Sequence, residues 1–209
     1  NNTDPTATPR PIAPATHFHM GGIKTDNYGR TGLPGLWACG GVASTGLHGG
    51  NRLASNSLLE ALVFGARIAE DVNNIMPLTS FSRAAQPATL PDGDTTLLAP
   101  AMQNLRALMA CHVGVLRHAD GLIYTLHELE RLQRAANGMA PFANMVLAAQ
   151  FVTMAAWLRE ESRGGHARSD FPNMAAAAHS VFTLRSLNDA YDHLPPINKD
   201  FVTPTAQAQ

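Results

Sequence analysis

The apolar positions of the chain fall into two kinds of pattern. Over residues 17–41 short apolar pieces alternate with turn residues. HFHMGGIKTD suits a strand that passes through a glycine pair, and Asn27-Tyr28-Gly29-Arg30 has turn chemistry. Leu36-Trp37-Ala38-Cys39 suits a short buried strand ending at Gly40-Gly41. A glycine-rich loop then leads to a helix predicted from Ser57 to about Asn73, with Glu60 at capping-box spacing from Ser57. Leu58, Leu59, Leu62, Val63, Phe64 and Ile68, with interspersed alanines, leave this helix almost no polar face before Glu70. A helix so apolar must be covered on most sides. The preceding Pro/Thr-rich lead and one hairpin are too little to cover it, so the covering surface is expected outside this sequence.

Beyond a Pro-, Ser-, Thr- and Gly-rich stretch the period becomes helical. Leu105, Leu108, Met109, His112, Val115 and Leu116 follow a 3–4 spacing, with Pro100 placed as a first-turn proline. Leu122, Leu126, Leu129 and Leu132 repeat the spacing in a second helix that stops near Asn137-Gly138. A third begins around Pro141-Phe142, carries Met145, Val146, Ala149, Val152, Met154 and Trp157, and ends by Ser162-Arg163-Gly164-Gly165. Three such helices with short breaks suggest an antiparallel bundle. After Pro172 the pattern is less regular, and there is no internal repeat. The expected fold class is α+β, mainly α. Its parts are residues 1–77, a linker over 78–97, and an antiparallel three-helix bundle with an irregular tail over 98–209.

Composition narrows the function classes. The 209 residues are 45% hydrophobic and 15% charged, with a net charge of −1, which suits a globular protein and leaves no basic stripe for nucleic acid. Cys39 and Cys111 each sit in an apolar run and do not form a disulfide framework, which points to a reduced, cytoplasmic setting. No signal peptide is evident, and no apolar run is expected to reach the roughly 18–20 residues of a membrane span. The chain opens on Asn1-Asn2-Thr3-Asp4 without an initiator methionine, as a piece of a longer protein would.

The chemistry concentrates in TGLHGGNRLASNSLLE, residues 45–60. A helix entrance presents unpaired N–H groups and a positive dipole end, so an anionic or electron-rich occupant is expected. His48 and Arg52 add side-chain donors, and the planar arginine fork suits a carboxylate. The density of glycine suggests a backbone that closely approaches a ligand. His17 and His19, two apart on the expected strand, share a face. The sequence supplies no further carboxylates or thiolates at metal-ligand spacing, so no metal site is expected. They read as structural histidines or, together with Arg52, as partners of a substrate anion. No GxGxxG or GxxxxGK[ST] loop is present. The charge-dense run at 160–172 reads, on physics alone, as a helix stop with a salt-bridged surface.

The segments HFHMGGIKTD, GRT, LPGLWACG and TGLHGGNRLASNSLLEALVFG, followed in order by ESRGGHARSDFP, resemble the succinate dehydrogenase/fumarate reductase flavoprotein family. The likeness is greatest to its aspartate-oxidising members and covers residues 14–172. It implies noncovalently bound FAD and oxidation of L-aspartate, or another C4 dicarboxylate, to the imino product. Oxygen or fumarate would reoxidise the flavin, and the product would feed quinolinate and NAD synthesis, with quinolinate synthase a candidate partner. By position, His17 and Arg52 match the family's substrate-carboxylate ligands. Ser57 and Leu58 match the helix-entrance pair whose backbone meets the flavin. Two departures stand out: Gly41 replaces a glutamate that reaches a flavin hydroxyl, and Gly50 replaces a common alanine. The family's Rossmann fingerprint and catalytic arginine base lie N-terminal to the matched segments, so no catalytic residue is assigned here. The chain then reads as the C-terminal part of such an enzyme, inactive without its N-terminal FAD domain. A succinate dehydrogenase or fumarate reductase fragment and a non-catalytic helical interaction module are the alternatives.

Overall fold

The computed structural model describes residues 17–75, 95–136 and 139–202. The Pro-rich lead, the linker through residue 94 and the Asn137-Gly138 helix stop lie outside the described residues.

Asp26 sets the first turn. Its Oδ1 accepts the N–H groups of Tyr28 and Arg30 at 2.8 and 2.9 Å, the local bonding that makes aspartate a turn former. The chain returns through an antiparallel bridge between Arg30 and Trp37. Strand β1 (Ile23–Lys24) pairs in parallel with β2 (Ala43–Ser44), Ile23 opposite Ala43. The strand expected from His17 is therefore only two residues long, and that expected at 36–39 is a single bridge beside buried Ala38. Glycines 21 and 22 present no side chains to support a longer ladder. With no strand at 17–20, His17 and His19 do not share a pleated face.

Helix α1 (Asn56–Asn74) is tied down near its C-terminal end. Asp71 is buried and accepts Arg30 Nε at 2.7 Å and Trp37 Nε1 at 2.9 Å. Those hydrogen bonds hold its carboxyl below the usual carboxylate range. The helix begins one residue before the expected Ser57, after Ser55, whose left-handed φ of 63° and lack of a side-chain cap rule out the expected capping box. Only Glu60, Phe64 and Asp71 are buried on α1, while Leu58 and Leu62 are 73% and 71% exposed. Among the described residues this apolar face is uncovered.

Helices α2 (Thr95–His112), α3 (Ala119–Ala135) and α4 (Ala140–Leu158) pack around one core. Leu105 and Leu108 of α2 meet Leu129 and Leu132 of α3 and Phe142, Val146 and Ala149 of α4. Pro100 lies inside α2, a turn later than expected. The helix also stops short of Val115 and Leu116, which are exposed; Gly114 intervenes, and Leu116–Arg117 forms β3 instead. Strand β3 pairs in parallel with β4 (Ala167–Arg168). The tail contains a helix that the sequence pattern did not reveal, α5 (Leu184–Tyr191), opened by a Thr183–Ser186 capping box. Leu187 of α5 packs against Leu126 and Met154. Eight residues are too few to display a period.

Helix α4 corrects the membrane expectation as to length. Its 19 residues reach a mean hydropathy of 1.3, enough by length and composition to span a bilayer. Its buried residues include Gln150 and Thr153, the latter donating to the Ala149 carbonyl at 2.8 Å, and its apolar residues pack on α2, α3 and α5. This is how the central helix of a packed core looks. Both cysteines are free.

The run after α4 is salt-bridged, as expected, but its central charges are buried and do not form a surface. Arg168 has a side chain only 1% exposed. It donates through Nη1 to the carbonyls of Ala156 and Trp157, both at 2.9 Å, and through Nε and Nη2 to Asp170 at 2.8 and 2.6 Å. Asp170 also accepts the Ala119 N–H at the start of α3, so the pair joins two helix ends. The carbonyls at a helix C-terminus lack intrahelical donors, and a buried arginine fork satisfies them here.

Hydrogen bonding from Arg168 pulls the Asp170 carboxyl down to about 2. A folded value below the unfolded one, about 3.9, gives stability that is complete above the unfolded value and lost as pH falls through the folded value. Urea denaturation should therefore show the wild type weakening between about pH 4 and pH 2, a dependence that Asp170→Asn reduces. At neutral pH Asp170→Ala should cost about 3–5 kcal/mol, because it strands a buried guanidinium. A loss under 1 kcal/mol would remove the pair from the fold's supports.

Candidate functional site

The site is built around a carboxylate in an apolar helix. Glu60 is buried on α1 and accepts from the Thr45 hydroxyl and from His48 Nε2, the latter at 2.7 Å. A carboxylate only accepts, so Nε2 carries the hydrogen. His48 has a side chain 8% exposed, and its Nδ1 is buried without a partner among the described residues. The loop from Thr45 to His48 is thereby fastened to α1. Glu60 thus faces inward and does not cap the helix, because the two side-chain donors Thr45 and His48 satisfy it there.

Phe18 connects the remaining groups. Its ring meets the His48 ring edge-on, centroids 5.2 Å apart at 81°. The Arg52 guanidinium carbon lies 4.7 Å from the Phe18 centroid, a cation–π arrangement. Arg52 makes no ion pair or hydrogen bond among the described residues, and its Nε is buried without a partner. The structure thus brings His48 and Arg52 together through Phe18. His17 is exposed at the start of the same segment. The N–H groups of Ser57 and Leu58 have no acceptor among the described residues, leaving the positive end of α1 available.

A second loop packs against this one. The Gly165 N–H donates to the Gly50 carbonyl at 2.9 Å. Gly164 adopts a φ of 59°, and a Cβ there would collide with the Gly50 oxygen. Alanine at position 50 would place its Cβ 3.1 Å from Arg163 Cγ, a small adjustment for a flexible stem. Arg163 is braced by Glu161 at 3.0 Å, and buried Glu161 also accepts from Arg159 at 2.6 Å and from the Ala175 N–H at 3.0 Å. Burial alone would raise the Glu161 carboxyl; the hydrogen bonds from Arg159, Ala175 and Arg163 outweigh it and hold it low. The loop's glycines therefore do not by themselves require a ligand, contrary to expectation. Gly49 supplies a left-handed turn at φ 54°, and Gly50 makes room for the second loop.

A family description, "FAD binding domain", matches residues 1–58, and a second, "Fumarate reductase flavoprotein C-term", matches residues 102–205. The chain belongs to the succinate dehydrogenase/fumarate reductase flavoprotein family. An L-aspartate oxidase of Rhodospirillum rubrum is 48% identical over 170 residues, covering 81% of this chain and 61% of that protein. An L-aspartate oxidase of Caulobacter vibrioides is 47% identical over 176 residues, 81% of this chain and 31% of that protein. The chain thus spans from about a third to three-fifths of these relatives. A solved quinol–fumarate reductase with menaquinol molecules superposes with a TM-score of 0.64 at 26% identity, covering 84% of this chain and 36% of that one. Sdh1 of Mycobacterium smegmatis in complex with UQ1 gives 0.59 at 33%, covering 76% of this chain and 31% of that one.

In this flavoprotein the two separated motifs, 45–60 and 161–172, meet at Gly50 and Gly165. The sequence pattern singles out His17, His48, Arg52, Ser57 and Leu58 as candidates but not Glu60 and Phe18, whose contacts the structure shows. A lone acid within LLEALVF was the available signal for Glu60. Nothing in the pattern distinguished Phe18. Gly164→Ala should loosen the contact between the loops. Limited proteolysis should cut residues 45–52 at least several-fold faster and thermal unfolding should begin earlier, since the left-handed backbone alone disfavours a Cβ by about 1–2 kcal/mol. An unchanged digestion pattern would show that the contact does not hold the loop.

Proposed function

We propose that these residues form the substrate-clamping and flavin-facing part of an FAD-dependent oxidase of L-aspartate, the product being iminoaspartate. The observation that carries the reading is Arg52. Among the described residues it is a guanidinium on an aromatic ring with no anion of its own, at the entrance of a helix whose first N–H groups also lack acceptors. Arg52 would hold one substrate carboxylate in its fork and His17 the other, fixing the substrate in one orientation. FAD fits here because the unpaired N–H groups of Ser57 and Leu58 and the dipole of α1 favour an electron-rich ring edge. When bound, FAD supplies the two-electron acceptor. The helix entrance would stabilise negative charge in front of it with little reorganisation, because its dipoles are already aligned. Packing of α2, α3 and α4 with short connections supports reading them as an antiparallel bundle that braces the Gly50 loop. A cytoplasmic location and delivery of the imino product to quinolinate synthase accompany the reading.

The likeness to quinol–fumarate reductase favours a second reading, a C4-dicarboxylate oxidoreductase acting on succinate or fumarate. Aspartate-dependent bleaching of the flavin in the complete enzyme, compared with succinate-dependent bleaching, separates the two.

Arg52→Ala in the complete enzyme should raise the aspartate KM by tenfold to a hundredfold, for a charge-assisted contact of about 1.5–3 kcal/mol. An unchanged KM would take Arg52 out of the site. Gly41 has open space around it, since an added Cβ would meet nothing within 4 Å. Gly41→Glu should therefore be accommodated and should tighten FAD binding in a fluorescence titration by about tenfold, one charge-assisted hydrogen bond. Weaker binding would show that this position does not face the cofactor.

A further inference from the structure

Arg52 poses a problem of positioning. A long, rotamer-rich side chain with no hydrogen bond of its own would sample many conformers, and ordering it on binding would reduce affinity. Among the described residues, the face of Phe18 supports the guanidinium. Phe18 lies in a segment without secondary structure, so something must in turn restrain its ring. His48 does so, edge-on at 5.2 Å. His48 is fixed by Glu60, and Glu60 by Thr45. Each member of this series is held by the next, and Glu60 anchors it on α1.

We propose that Glu60, His48 and Phe18 are positioning residues that hold the Arg52 guanidinium ready for a substrate carboxylate. The proposal rests on the reading of Arg52 as a substrate ligand. Glu60 aligns the imidazole through Nε2, the T-shaped contact with the imidazole sets the ring plane of Phe18, and the ring face supports the guanidinium. This leaves the guanidinium without a competing acceptor among the described residues, which a carboxylate or amide partner for Arg52 would not do. An aromatic support suits an anion site, because it adds no competing acceptor. The buried Nδ1 of His48, without a partner among the described residues, agrees with this use: the imidazole gives the ring its direction with one of its two hydrogen-bonding sites unused there.

The test uses steady-state kinetics of the complete, FAD-loaded enzyme. Phe18→Leu removes the aromatic face and keeps the apolar bulk, and it should raise the aspartate KM five- to twentyfold with kcat changed less than threefold. Phe18→Tyr keeps the face and should remain within threefold of wild type. Glu60→Ala should raise KM at least tenfold, and Glu60→Gln, which still accepts from His48, should recover most of the loss. A double-mutant cycle of Phe18→Leu with Arg52→Lys supplies the readout that general loosening of the loop would not move. KM effects should be clearly less than additive, because once the support is gone there is less to lose at Arg52. Additive effects in that cycle, or a Phe18→Leu enzyme with wild-type KM, overturn the relay even if Glu60→Ala fails to fold. If Arg52→Ala leaves KM unchanged, the substrate reading fails first. If Arg52→Ala raises KM and Phe18→Leu does not, only the relay fails.

Discussion

A carboxylate removed from water must find donors, and Glu60 is the point from which this structure is organised. It sits buried in the apolar stretch Leu58–Phe64 of α1, where an unpaired charge would be costly. Its two donors, Thr45 and His48, come from the loop before the helix, so satisfying the carboxylate also fixes the loop. Arg52 follows within the same loop and inherits that order. The polar interior of the site thus comes from the requirements of one buried acid, and Arg52, unpaired among the described residues, is what remains after the acid has been satisfied.

The second loop adds the helical part of the molecule to the same arrangement. Glu161 and Arg168 repeat the logic of Glu60: each is charged, deeply buried and fully engaged. Arg168 closes the end of α4, Asp170 meets the start of α3, and Arg163 reaches the Gly50 loop. Displacement of the helices would therefore be felt at the backbone two residues from Arg52. This is a route for mechanical coupling between the α2–α4 packing and the site, carried by backbone contact at Gly50 and Gly165.

The helices were legible where their period was long. Leu122, Leu126, Leu129 and Leu132 marked α3, and all four are buried. The period misled at Val115 and Leu116, where Gly114 ends the helix before the pattern ends. The parallel pairing of β1 with β2 and of β3 with β4 could not be read, because two-residue strands carry no alternation. For the site, the loop chemistry pointed to Arg52 and the helix entrance. The direction of Glu60 was not legible, since capping-box spacing and a buried acid look identical in one dimension. Nor was the depth of Arg168, because charge density along a sequence does not reveal which charges a fold will enclose.

Glu60, Phe64 and Asp71 are the three buried positions of α1. At about 100° per residue their offsets of four and eleven return to nearly the same azimuth, so both ends of the helix are pinned along a single line. Adding or removing one residue between Glu60 and Asp71 would rotate one pin about 100° away from the other. Either the Arg30–Trp37 hairpin or the His48 loop would then lose its anchor. The helix acts as a ruler with two fixed marks, and only changes of length near whole turns could pass unnoticed.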